Sequence, residues 1–212
     1  IKFLRLFIYL IFLSASSIIY AQTFNAIGAG FNGASEVRCV LFDSTDSRLY
    51  AGGTFSTTSN GFPLNYIGSW NGSNWDSLGV GSNGNVCSLI KYNNQILAGG
   101  SFSQIGNATV SGLASWDGTN WTPVANFTNN NFTPSVGKLV ILNGNLFVLG
   151  GFSHVDSLNA YGIAEWNGSN WITFPPVDIT GSIGNIAAAA IYNGELYVGG
   201  NFDGGPNKND IL

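Results

Sequence analysis

His154 is the only histidine of the chain and stands in Ser153-His154-Val155-Asp156. Serine, histidine and aspartate are the residue types of a nucleophilic relay, in which imidazole takes a hydroxyl proton and a carboxylate orients the ring. Neighbouring positions in one short stretch do not supply that geometry, and a polar loop histidine accounts for the same residues. A zinc set has no material, because the only other soft ligands are Cys39 and Cys87. Glycoside hydrolysis uses two carboxylates about 5–9 Å apart, and the eleven acidic residues form no recurring pair. No catalytic, cofactor-binding or metal-ligating residue is assigned.

Gly28-Ala29-Gly30-Phe31-Asn32-Gly33 fits a dinucleotide-binding pattern, yet Gly79-Val80-Gly81-Ser82-Asn83-Gly84 repeats it further on. A phosphate cradle is a single loop that opens a helix. Neither copy leads into a helical pattern, so both read as turns. Asp203-Gly-Gly-Pro-Asn-Lys-Asn-Asp210 gathers oxygen ligands but lacks the glutamate that closes a calcium-binding EF-hand loop. Asn-x-Ser/Thr sequons begin at Asn71, Asn107, Asn120, Asn126, Asn131 and Asn167, as turn-rich sequence readily produces.

The elements that must position these residues are strands. Among 212 residues there are 29 glycines, 14% aromatics and only 8% charged residues, against a norm of about 25% charged. So little Lys, Glu and Arg cannot line solvent-facing helices, whereas Gly, Asn, Ser, Phe and Trp suit short strands and tight turns. The net charge is −4, and the lysines and arginines are scattered singly, which excludes the basic stripe of a nucleic-acid partner. Residues 1–21 carry Lys2 and Arg5, the apolar run Leu6 to Leu13 and small residues before Gln22. That is the pattern of a secretory signal peptide, and the apolar run is short of the roughly 20 residues that span a bilayer. The expected product, 22–212, is secreted or held at the cell surface, with no stable membrane insertion after the leader is removed.

Self-similarity organises the rest. Trp70-Asn-Gly-Ser-Asn-Trp75, Trp116-Asp-Gly-Thr-Asn-Trp121 and Trp166-Asn-Gly-Ser-Asn-Trp171 recur at spacings of 46 and 50 residues. A second marker, an apolar run ending in Gly-Gly and a following Phe, closes at Phe55, Phe102, Phe152 and Phe202. Each period holds four short strand candidates, with Asn93-Asn94, Asn143-Gly144 and Asn193-Gly194 as two-residue hairpin turns. Four strands per 40–50 residues is the pattern of a β-propeller blade. These repeats resemble those of kelch-like propellers. They are closer to the Trp-Asn-Gly-Ser-x-Trp repeats of exported bacterial surface proteins, which are similar to fungal cell-polarity marker propellers. The resemblance covers residues 23–212 and implies an all-β, kelch-like β-propeller of three complete four-stranded repeats plus a partial fourth. Leu212 falls inside a strand, two residues before an expected Trp, so the ring is expected to be incomplete, with open blade edges able to associate.

Trp70, Trp75, Trp116, Trp121, Trp166 and Trp171 have two readings, as cross-strand packing pairs or as platforms for sugar rings, and recurrence in every repeat favours packing. Cys39 and Cys87 lie in equivalent strands but one residue out of step, so alternation sends them to opposite faces and predicts no disulfide. Alternating strands put the Asn-Gly and Trp-pair turns on one face and the longer segments 56–65, 103–111, 126–134 and 153–159 on the other. Variable loops on a rigid scaffold carry recognition, which makes Asn60, Asn65, Asn107, Asn130, His154 and Asp156 the candidate ligand contacts. The function expected is a non-catalytic binding module for a glycan or protein at the cell surface. The alternative is the N-terminal part of a propeller enzyme, a glycosidase or lyase, whose catalytic residues lie beyond Leu212.

Overall fold

The computed structural model describes residues 27–32, 35–174 and 183–202. The expected leader, 1–21, and the Asp203–Asp210 loop lie outside the described residues. The chain is all-β, with no helix among the described residues. The first sheet comprises β1 (Val37–Asp43), β2 (Arg48–Gly53), β3 (Ile67–Trp70) and β4 (Trp75–Ser77). Next come β5 (Asn85–Tyr92) and β6 (Gln95–Ser101), a small hairpin of β7 (Gln104–Ile105) and β8 (Ala108–Thr109), then β9 (Leu113–Trp116) and β10 (Trp121–Pro123). The third repeat runs β11 (Phe127–Thr128), β12 (Ser135–Leu142), β13 (Asn145–Gly151), β14 (His154–Val155), β15 (Leu158–Asn159), β16 (Ile163–Trp166) and β17 (Trp171–Thr173). A fourth sheet pairs β18 (Ile183–Tyr192) with β19 (Glu195–Phe202).

β5, β6, β9 and β10 form the second four-stranded antiparallel sheet, and β12, β13, β16 and β17 the third. The four strands expected per repeat are therefore present three times. The first strands of successive sheets stand side by side, β1 against β5, β5 against β12 and β12 against β18. No closed ring is seen among the described residues.

The tight turns form as their residues dictate. Asn93-Asn94 have φ of 48° and 62°, Asn143-Gly144 53° and 84°, and Asn193-Gly194 51° and 79°. Two consecutive positive φ values are what a two-residue hairpin needs to match strand twist. In the Trp hairpins the side-chain oxygen of Asn71, Asp117 or Asn167 accepts the backbone N–H groups two and three residues on, at 2.7–3.0 Å. Donation from Asn120 and Thr119 holds the Asp117 carboxyl below the usual range, so this acid serves a turn.

The Gly-Gly marker is explained by two close approaches. A β-bulge interrupts each first strand, at Arg38, Cys87 and Gly137 in the three complete sheets. A Cβ on the glycine that faces the bulge, second of its pair in the first two sheets and first in the third, would lie 1.9 Å from the Glu36 carbonyl oxygen at Gly53, 2.0 Å from that of Asn85 at Gly100 and 2.1 Å from that of Ser135 at Gly150. No side chain fits there. A Cβ on the first glycine would strike the following sheet instead, 2.5 Å from Val86 at Gly52 and 2.6 Å from Val136 at Gly99. Val86 and Val136 are fully buried in these notches, a transfer from water worth about 1.5–3 kcal/mol for each side chain. Leu149 stands at the notch position of the third sheet and is itself buried. The bulge also revises the reading of the cysteines. Cys87 is the bulged residue and Cys39 lies one place beyond its own bulge, so simple alternation does not describe them. Both are free thiols, and burial pushes that of Cys39 up to about 12.

The long segments assigned to variable recognition loops are largely built alike. Three of the four, 56–65, 103–111 and 153–159, carry a small hairpin, closed by the Thr57–Pro63 bridge, by β7–β8 and by β14–β15. The chain entering the same sheet pins it down, through Phe31 bridging Thr58, Ser82 bridging Ile105, and β11 pairing with β14. Ile105 and Val155 are fully buried and anchor the hairpins while the backbone groups pair.

Gly100→Ala is expected to destabilise the protein by about 3 kcal/mol or more, because the clash is with backbone and cannot be relieved by a rotamer change. Urea unfolding followed by tryptophan fluorescence measures this, and a loss below about 1 kcal/mol would contradict the assigned close approach.

Candidate ligand cleft between the second and third sheets

The two indoles of each Trp hairpin sit across a strand pair, with ring centres 5.7 Å apart for Trp70–Trp75, 5.2 Å for Trp116–Trp121 and 5.3 Å for Trp166–Trp171. The pairs nevertheless have different surroundings. Trp121 is buried between the first two sheets and its indole N–H donates to the Leu78 carbonyl at 3.0 Å, tying the second sheet to the chain leaving the first. Trp75 reaches the Ile27 carbonyl in the same way, at 3.5 Å. Trp166 and Trp171 are both only half-buried, and Trp171 meets Phe127 edge-on at 5.7 Å.

Two substitutions in the third repeat account for the difference. Ala125 follows Trp121 at the spacing that separates Gly79 from Trp75, and the positive φ of Gly79, 67°, is absent there. Asp156 takes the place of Gly106, since the Gly106 N–H donates to the Gly81 carbonyl and the Asp156 N–H to that of Asn126. A Cβ on Gly106 would lie 3.0 Å from the Trp121 ring. A residue carrying a side chain at this position therefore needs room between hairpin and indole.

The result is a cleft of about 340 Å³ lined by Tyr92, Asn93, Gln95, Leu97, Ser115 and Val124 from the second sheet and its exit, and by Leu146, Asp156, Trp166 and Trp171 from the third repeat. The corresponding place between the first two sheets holds an ion pair. Lys91 Nζ contacts the buried Asp43 carboxylate at 2.6 and 2.8 Å and donates to Thr45 Oγ1 at 2.6 Å. Lys91, aided by the Thr45 N–H, holds the Asp43 carboxyl below the usual range. Register puts Ile141 at the Lys91 position and Tyr92 at the Asp43 position of the next interface, so no such pair can form.

Other depressions are less suited to a ligand. One of about 420 Å³ is lined by residues 109–111 and 123–126 and has no aromatic wall, and the Ser111 hydroxyl already bonds Asn126. Another, about 360 Å³, lies against Trp70 and Trp75, but its Asp76 is engaged by Arg48 at 2.8 Å and Asn71 at 3.1 Å.

The residues expected from sequence to bind are distributed over separate hairpins. Asn60 lines the Trp70 depression and is hydrogen-bonded to Thr58. Asn65 has φ 51° and is a connector: its amide donates to the Val80 carbonyl and its carbonyl accepts from Ser82 N–H. Asn107 is exposed at the tip of the β7–β8 hairpin, and Asn130 is exposed in the segment after β11. His154 is in strand β14, not in a loop, and its Nδ1 lies 2.8 Å from Ser153 Oγ. Asp156, with φ 50°, accepts the Asn126 N–H at 3.0 Å and is the member of this set that lines the chosen cleft. Tyr92, Asn93, Gln95, Trp166 and Trp171 were not among the expected ligand contacts. Their signal was the loss of Gly at two places in one repeat. No protein-family model matches the chain, and no curated protein matches it.

Trp121→Phe, which deletes the buried indole donor and leaves the Leu78 carbonyl only the longer 3.3 Å bond from the Gly81 N–H, is expected to cost about 1–2 kcal/mol, and Trp171→Phe less than half as much. Chemical denaturation of the two variants tests this, and equal losses would mean the two pairs have the same structural role.

Proposed function

We propose that the chain is an exported, non-catalytic β-propeller that acts as a glycan-binding module through the cleft beside Trp166 and Trp171. The propeller reading is supported by three successive four-stranded meanders with their first strands side by side. Export and a cell-surface setting are supported by the leader-like residues 1–21.

One observation carries the binding reading. The second indole of the pair, buried as Trp121 in the second repeat, is half-exposed as Trp171 in the third, next to the half-buried Trp166 and the amide-bearing residues Asn93 and Gln95. Indole faces offer flat apolar area against the C–H faces of a sugar ring. An amide presents a donor and an acceptor in one plane, matching a pair of neighbouring hydroxyls, and the Asp156 carboxylate adds an acceptor. A volume of about 340 Å³ is at the lower end for small-molecule sites and favours one or two sugar residues over a protein segment. The lining contains a single carboxylate, Asp156, whereas glycoside hydrolysis uses two, and this supports binding over cleavage.

Glycan-array screening followed by calorimetry on the best ligand tests the proposal. Trp166→Ala is expected to weaken binding by about tenfold or more, roughly 1.4 kcal/mol, while Asn107→Ala at the hairpin tip leaves it unchanged. Absence of any glycan ligand, or binding that survives Trp166→Ala combined with Gln95→Ala in a folded protein, would refute it.

A further inference from the structure

The cleft beside Trp166 and Trp171 combines an aromatic lining with one carboxylate and, among the described residues, no cationic side chain. Tyr92, Trp166 and Trp171 pack against one hydrophobic cluster and line the cleft together with Asp156. The two indoles are inclined at 52° with ring centres 5.3 Å apart, so they form a corner rather than one flat wall. The faces of aromatic rings are electron-rich and attract a cation held within about 6 Å of the ring centre, indole most strongly.

The carboxylate is fixed where it stands. The Asp156 N–H donates to the Asn126 carbonyl at 2.8 Å, and the Asn126 N–H donates to Asp156 Oδ1 at 3.0 Å. This paired contact holds the β14–β15 turn against the chain leaving the second sheet, and it leaves Oδ2 with acceptor capacity. Asp156 belongs to none of the ion pairs among the described residues. Lys91 adjoins the lining residue Tyr92, but its ammonium is committed to Asp43 at 2.6 and 2.8 Å. In the preceding interface, then, the chain sets its own ammonium against a carboxylate at the place that corresponds to the cleft. At the cleft Ile141 and Tyr92 stand at those positions, and the acid that lines it has no basic partner.

We propose, resting on glycan binding at this cleft, that the sugar it selects carries an ammonium group, as a deacetylated amino sugar does. The ammonium lies against Asp156 Oδ2 and the indole corner, and the hydroxyls lie against the amides of Asn93 and Gln95. A neutral sugar gains only the stacking and the amide hydrogen bonds. A uronic acid brings a second carboxylate up to that of Asp156, where like charges repel. N-acetylation of an amino sugar removes the positive charge and keeps the ring, so comparing the two forms isolates the contribution of the ammonium.

The test is calorimetry at low salt with the glucosamine disaccharide, its di-N-acetylated form and the glucose disaccharide of the same linkage, at a pH that keeps the amine protonated. The amine is expected to bind about tenfold or more tighter than either neutral sugar. Asp156→Asn keeps the positive-φ turn, which asparagine tolerates, and keeps an oxygen to accept the Asn126 N–H, but it loses the charge. This variant is expected to bring the amine down to the affinity of the neutral sugars and to leave theirs unchanged. Neutral sugars that bind as tightly as the amine overturn the inference and leave glycan binding standing. An amine preference that persists in folded Asp156→Asn overturns the assigned role of the carboxylate. Failure of all three sugars to bind overturns the inference too, and if the glycan array is also blank, glycan binding at the cleft falls with it.

Discussion

Successive sheets meet where the earlier one has no side chain. At Gly52 and Gly99 the missing Cβ is what admits Val86 and Val136, and at Gly53, Gly100 and Gly150 it is what lets the second strand pass the bulge of the first. The two requirements are adjacent in sequence because they concern opposite sides of one strand. The bulge bends the first strand and the notch receives its neighbour, so the angle and the spacing between sheets are set together. Hydrophobic burial then follows that geometry. One cluster joins Tyr50 and Ile67 to Leu89 and Trp121, a second joins Leu97 and Leu113 to Leu139 and Val148, and a third joins Phe147 and Leu149 to Val198.

Repetition with local departures is how such a scaffold gains a site. The interface between the first and second sheets is sealed by an indole hydrogen bond and a Lys91–Asp43 ion pair. The next interface has the same strands and notch but Ile141 and Tyr92 at the charged positions, and Ala125 and Asp156 where glycines stood. None of these changes disturbs the core, where Val136 and Val148 are fully buried. They act at the outer part of the interface, opening a cleft walled by a Trp pair whose second indole, Trp171, is half-exposed where Trp121 of the preceding repeat is buried. Variation at a few interface positions therefore changes what a sheet presents without changing how it packs.

Much of the fold was legible because its signals are local and repeated. Asn-Gly pairs demand positive φ, Trp hairpins recur with an Asn or Asp cap, and apolar runs end at Gly-Gly, so strand number and turn positions followed from residue types. The function of the glycine that faces the bulge was not legible, since its contact with Asn85 or Ser135 depends on a bulge that no periodicity displays. The cysteine argument was incomplete for the same reason. Segments 103–111 and 153–159 read as loops because their hairpins pair only two residues per strand. Site residues were the least legible. Asn65 and Asp156 are polar and lie in long connections, yet their hydrogen bonds to Val80 and Asn126 are between segments distant in sequence. The cleft residues Gln95 and Trp166 looked like ordinary members of a repeat.

The central claim is that a valine of one sheet fills a glycine notch in the preceding one, and a double-mutant cycle between Gly99 and Val136 tests it most directly. Gly99→Ala crowds the notch and Val136→Ala empties it, while the double variant places the new methyl in the vacated space. The account predicts that the double variant is more stable than the sum of the single losses by about 1 kcal/mol or more. Additive losses would contradict direct contact, and with it the packing on which the sheets and the cleft are argued.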